Sequence, residues 1–348
     1  MAWLAMAAIL VASLVRVQYW EVAPGTASQV SDRLTFDSQV LNQVTHYPAE
    51  TPVLFVTAFG GQMSALDAAI GWIDPDVQVD SFVERFGTST PAEQRRLGFE
   101  SMTSAKQIAE FVAFNRLGLE VSMKYGEVIV EELVCLELPT RLSACKQLNL
   151  GDTITALDGN EIATLDDLIR VIADYIPGDV VTLSVIAHQT STVVDRRVQL
   201  IADPDDPNRT LIGIVPADTR TVDLPFEVGI NTNSIGGPSA GLAFTLALLD
   251  ELTPGDLNGG TKVAATGTIS EDETVGAIGA LRQKTVAVKA AGAKVFLVPA
   301  SQSEDELAQA RQVAGASLRI IPVANLEDAL NALLDLGGSG LTNATIQL

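Results

Sequence analysis

The chain has 348 residues, 47% apolar and 19% charged, which is enough apolar material to bury the cores of two or three domains. Its formal net charge of −21 repels phosphate backbones and removes nucleic acid from the candidate partners. Only two histidines (His46 and His188) and two cysteines are present, and the histidines lie far apart in the sequence, which excludes an HExxH metalloprotease site. Neither histidine sits in a motif, so any nucleophilic chemistry is expected to use another base.

The opening stretch "MAWLAMAAILVASLVRVQYWEVAPGTAS" carries no charged side chain before Arg16. A helix ending at Val15 would span about 22 Å, short of a hydrocarbon core of about 30 Å. Continuation to Trp20 closes most of that gap, with Arg16 snorkelling and Tyr19 and Trp20 at the interface. Residues 1–20 are therefore read as a membrane anchor. The competing readings are a signal peptide cleaved after "GTA", which would lack the usual basic start, and a buried helix.

Residues 21–118 form an N-terminal region expected to pack with the body. Strands occupy 21 to about 60, "PVLFVTAF" (52–59) being the clearest, and 62–118 is read as mostly helical. In "TSAKQIAEFVAFNRLGLEV" the helical spacing starts at Thr103–Ser104 as caps and stops at Gly118.

The texture changes over 119–203. "GEVIVEELV" reads as a strand, and "LNLGDTITALDGNEIATLDDLIRVIADYIPGDVVTLSVIA" as strand, Asp158–Gly159 turn, short strand, helix 165–175, Pro-Gly turn and strand. "TSTVVDRRVQLIA" adds a further strand. The set Gly151, Asp152, Ile154, Asp158, Gly159, Asp167, Leu168, Pro177, Gly178 and Asp179 resembles the PDZ domain of bacterial envelope proteases. That resemblance implies a domain that takes an extended peptide as an added strand; the plainer reading is a β-rich spacer. Cys135 and Cys145, ten positions apart, are either a disulfide, if this domain lies outside the cytoplasm, or two buried thiols.

"PDDPN" (204–208) reads as a linker. The domain assigned to 204–336 alternates strands ("LIGIVP", "KVAATGTI", "AKVFLVP", "LRIIPV") with helices at 239–251, 281–291, 303–314 and 326–335, an α/β pattern. The tail 337–348 reads as loose. The fold class is thus multi-domain α+β: membrane helix, PDZ-like domain, α/β domain.

Within the last domain, "SIGGPSAGLAFTLALLDE" (234–251) places Ser239 before an apolar run. Taken alone, Ser239 is either a helix cap or a nucleophile at a helix tip, where backbone N–H groups stabilise an oxyanion. Lys284, 45 residues on, lies in an otherwise apolar helix. A lysine buried there loses stability in its charged form and can take the serine proton; a solvated lysine is the alternative.

"GPSAG" followed by "TGTI…VG-IGALRQK--A-KAAGAK-FLVP" resembles the proteolytic domain of Lon proteases. The order anchor, PDZ, protease resembles the bacterial membrane-anchored Lon-like branch. The resemblance implies Ser239 as nucleophile, Lys284 as general base and Thr266 as a residue that helps hold the lysine. Ala265 and Ala280 stand where the family often has glycine, and Thr274 lies near a usual turn glycine. No G-x-x-x-x-G-K-[ST] loop is present, so the expectation is peptide-bond hydrolysis without ATP, cofactor or metal. The substrate would be accessible or unfolded polypeptide. The resemblance further implies a homo-oligomer, with the body on the extracytoplasmic side of the cell membrane. The alternative is a non-enzymatic PDZ scaffold built on a decayed protease fold.

Overall fold

A computed structural model describes residues 2–36, 45–87, 89–135, 140–188, 190–203, 206–207 and 209–341. The chain divides into one unit made of residues 1–122 and 224–348, and a second made of 123–223.

The first unit is built on a six-stranded sheet whose strands, in spatial order, are Arg319–Val323, Val295–Pro299, Val263–Ala265, Leu54–Ser64, Arg16–Gln29 and Gln78–Ser81. The first four run parallel. Arg16–Gln29 pairs antiparallel with both of its neighbours. Successive strand side chains point to opposite faces. Leu54, Val56, Phe296 and Val298 line one face, closed by Leu281, Ala287 and Val288 of the helix Leu281–Ala290 and by Leu307, Ala310 and Ala314 of Glu304–Ala314. Phe55 points to the other face and meets Phe244 of the helix Gly241–Leu252, ring centroids 6.1 Å apart. Every residue of Gly241–Leu252 is buried, its apolar side chains together with Thr245, Asp250 and Glu251. The long helix Pro91–Arg116 packs against it.

The second unit is a sheet in the order Ile214–Asp223, Ser122–Leu133, Thr153–Leu157, Val180–Ala187, Thr192–Gln199, with Asn160–Glu161 beside Thr153–Leu157. The helix Leu165–Ile172 starts with a capping box in which Thr164 Oγ1 accepts the Asp167 N–H and Asp167 accepts the Thr164 N–H. Cys135 and Cys145 are joined by a disulfide, their Cα atoms 5.7 Å apart.

Five sequence expectations are corrected. The first helix covers only Ala2–Leu14 and does not continue to Trp20. Residues from Arg16 onward form a strand, since Val17, Tyr19, Trp20 and Val22 suit a pleated surface and find partners in Leu54–Ser64 and Gln78–Ser81. Among the described residues, no helix is long and apolar enough to cross a membrane.

The stretch 62–118 is less helical at its start than expected, because Gln78–Ser81 is a strand. The helix read from Thr103–Ser104 begins at Pro91, capped by the Thr90 and Glu93 box, and Thr103 lies inside it, donating to the Phe99 carbonyl. "LIGIVP" does not open the last domain. Ile214–Asp223 closes the edge of the second unit's sheet, so the chain returns to the first unit at residue 224 and not at the "PDDPN" stretch. Residues 204, 205 and 208 of that stretch lie outside the described residues. The start of the tail is held in place: the Ser339 N–H donates to the Asp256 carbonyl at 3.0 Å. Residues 342–348 lie outside the described residues.

Candidate active site

The loop into the helix Gly241–Leu252 is shaped by close backbone packing. Gly237 has φ +94°, a conformation that costs a side-chain-bearing residue. Its N–H donates to the carbonyl of Gly98, at 2.6 Å. A Cβ on Gly236 would stand 3.0 Å from the Gly98 carbonyl carbon. The serine loop therefore lies directly on the helix Pro91–Arg116, which no motif in the sequence pointed to.

Ser239 does not cap the helix. The helix starts at Gly241, its N-cap is Ala240, and no side chain bonds there. The Ser239 main chain is instead fixed by the strand end next to it. Its carbonyl accepts the Gly267 N–H at 2.9 Å and the Thr266 hydroxyl at 3.0 Å. Thr266 directly follows the strand Val263–Ala265, and its own N–H donates to the Leu297 carbonyl at 3.0 Å, so the sheet anchors the loop. Among the described residues, the Ser239 and Ala240 N–H groups have no hydrogen-bond acceptor.

Lys284 comes from the opposite face of the sheet, in the first turns of Leu281–Ala290. Leu281, Ala287 and Val288 bury that helix in the core, which carries the lysine stem in with it. The residue is 4% exposed. Its Nζ donates to Ser239 Oγ at 2.7 Å and to Thr266 Oγ1 at 3.3 Å. Burial away from water pushes its pKa from the ordinary lysine value down to about 7. The fold thus brings the three residues singled out in the sequence to one point, at the carboxyl end of a parallel strand where helices from both layers converge. Near neutral pH, much of the amine is uncharged and able to accept a proton from the hydroxyl beside it.

No cluster of three or more His, Cys, Asp or Glu side chains suited to a metal occurs among the described residues.

These features define a two-unit α+β protein whose larger unit presents a buried amine against a serine at a helix tip. Residues 223–335 match the model of the Lon protease (S16) C-terminal proteolytic domain, and 115–194 match that of the PDZ domain. The chain carries a Lon-type proteolytic domain and a PDZ domain.

Lon protease of Phenylobacterium zucineum is 35% identical over 95 residues, covering 27% of this chain and 12% of that protein. Lon protease of Neorickettsia sennetsu is 29% identical over 196 residues, covering 56% of this chain and 23% of that protein. The chain therefore spans under a quarter of the length of these curated relatives. Among solved structures, the PDZ domain of an SdrC-like protein from Listeria monocytogenes is 26% identical. It covers 26% of this chain and 87% of that one, with a TM-score of 0.22.

Proposed function

We propose that this protein is a serine endopeptidase that cleaves accessible or unfolded polypeptide without ATP, using Ser239 as nucleophile and Lys284 as general base. The observation that carries this reading is the 2.7 Å contact between Lys284 Nζ and Ser239 Oγ, with the lysine pKa lowered to about 7 by burial. In the neutral form, the Nζ lone pair takes the hydroxyl proton as Oγ attacks the scissile carbonyl. The Ser239 and Ala240 N–H groups, free of other acceptors among the described residues, are the proposed donors to the oxyanion. The lysine then returns its proton to the leaving amine, and water hydrolyses the acyl-enzyme. Thr266 bonds both the lysine amine and the Ser239 carbonyl, so it keeps the two groups in register.

The second unit is proposed to hold the substrate. Its edge strand Ile214–Asp223 lies near the helix Leu165–Ile172, with Val215 and Ile169 exposed, an arrangement suited to an extended peptide added as a further strand. The proposal extends to membrane attachment. The helix Ala2–Leu14 exposes Trp3, Leu4, Met6, Ile9, Leu10 and Val11, a surface that fits lipid better than water. The Cys135–Cys145 disulfide supports placing the body on the extracytoplasmic side.

The test is cleavage of unfolded casein by the wild-type chain, Ser239→Ala and Lys284→Ala over pH 5–9. The expected result is a loss of roughly a thousandfold or more in each variant, with the wild-type kcat/KM rising with pH through about 7. Equal cleavage by all three, or a folded but inert wild type on several unfolded substrates, overturns the reading and leaves the scaffold alternative.

A further inference from the structure

In the second unit, the loop that opens the edge strand is Leu211-Ile212-Gly213, and it is held from two sides. On one side, Thr210 Oγ1 donates to the Tyr175 carbonyl, just past the helix Leu165–Ile172, at 2.8 Å. On the other, the Gly213 carbonyl accepts the Val134 N–H at 3.0 Å. A Cβ added to Gly213 would lie 3.4 Å from Ala144 Cβ and 3.6 Å from the Val134 carbonyl oxygen, and Gly213 itself has φ +91°. Val134 and Ala144 are the immediate chain neighbours of Cys135 and Cys145. The disulfide therefore ties together the two backbone segments against which the Gly213 turn rests.

That turn sets where Ile214–Asp223 begins and how its free edge faces the helix. Cys135 is exposed and Cys145 half-buried, so the bond is open to attack from solvent.

We propose that the Cys135–Cys145 disulfide is a redox modification site that controls peptide capture by the second unit. The idea rests on the peptide-groove reading above. A dithiol thiolate attacks the Cys135 sulfur, the S–S bond breaks, and Cys145 leaves as a thiolate that takes up a proton. The second thiol of the reagent then displaces Cys135 from the mixed disulfide. Two electrons and two protons pass to the protein as two cysteine thiols, and the reagent ends as its own disulfide. Once the arms are free, Val134 and Ala144 no longer fix the Gly213 turn. The edge strand must then be ordered at the expense of binding.

The experiment uses the full chain carrying Ser239→Ala, so that bound peptide is not cut. It is studied oxidised, reduced by dithiothreitol, reoxidised, and as the Cys135→Ser/Cys145→Ser variant. The probe is a fluorescein-labelled decapeptide with apolar residues in its last three positions and a free carboxylate. Fluorescence anisotropy gives Kd, and amide hydrogen exchange is followed at Val134 and Ile212–Ile214.

The expected result is about tenfold weaker binding on reduction, restored by reoxidation and matched by the double variant. Exchange should be faster at those amides while the circular dichroism is unchanged. Equal Kd and equal exchange in the two redox states overturn the role of the disulfide and leave the groove reading standing. No binding in either state overturns the groove reading itself. If the double variant does not fold, the comparison of oxidised, reduced and reoxidised wild-type cysteines decides.

Discussion

Lys284 is 4% exposed, and its lowered pKa comes from burial alone, without an opposing charge. Its drop from 10.5 to about 7 corresponds to roughly 5 kcal/mol between the two protonation states. Below pH 7 the amine is charged in both the folded and unfolded chain, and folding bears the full cost of burying it. Between about 7 and the ordinary lysine value only the unfolded chain holds the proton, so stability climbs as pH rises. Above that range both states are neutral and the cost has gone. Lys284→Met, which keeps the stem and drops the charge, should therefore stabilise the protein by roughly 2–4 kcal/mol at pH 6, net of the two hydrogen bonds lost. The gain should fade by about pH 10. Thermal unfolding at pH 6, 8 and 10 reads this directly; a gain independent of pH would contradict the assigned cause.

The helix that carries Lys284 begins on a strained residue. Ala280, its N-cap, has φ 58° and ψ 37°, the left-handed region that side-chain-bearing residues avoid. Its carbonyl accepts the Lys284 N–H, at 2.9 Å, so the strain sits one turn from the amine. Ala280→Gly relieves it and should raise stability by about 1 kcal/mol, measured by urea unfolding, with the Lys284–Ser239 contact kept.

At this scale much was legible in the sequence. The apolar run Leu242–Leu249, broken only by Thr245, reads as a core helix, and the PDZ-like strands and turns carry their own turn residues. The misreadings have local causes. Thr90 and Glu93 spell a capping box around Pro91, and the helical spacing that seemed to start at Thr103 drew the reading past it. Arg16–Gln29 declares itself as a strand only beside its two partners. Ser239 and Lys284 are 45 residues apart in the sequence and meet only because the sheet's two covering layers converge past the end of Val263–Ala265. The Gly98 carbonyl that positions the serine loop was invisible, because a backbone group has no letter of its own.

At the scale of the whole molecule, the unit that holds Ser239 and Lys284 is assembled from both ends of the chain. Residues 223–335 match the proteolytic-domain model, yet the strand Leu54–Ser64 pairs with Val263–Ala265, and Phe55 packs on Phe244. The helix Pro91–Arg116 supplies the contact to Gly237. A fragment of residues 224–348 would expose Phe244 and its neighbours and leave Val263–Ala265 an unpaired apolar edge. It should be insoluble or molten, with no cleavage of unfolded casein, whereas the full chain should give dispersed amide resonances and cleave it. A well-dispersed spectrum from the fragment would show that the N-terminal strands are dispensable.

The interruption of that unit by residues 123–223 has a consequence during synthesis. When residue 223 has left the ribosome, the second unit has all of its strands. Of the first unit's six-stranded sheet, only Arg16–Gln29, Leu54–Ser64 and Gln78–Ser81 exist at that moment, and neither Ser239 nor Lys284 has emerged. Its parallel pairing partners follow more than 200 residues after Leu54, a separation that makes closure slow. On the function proposed above, the peptide-binding unit would be complete before the chain holds a nucleophile, so a nascent chain would bind peptide before it could cut one.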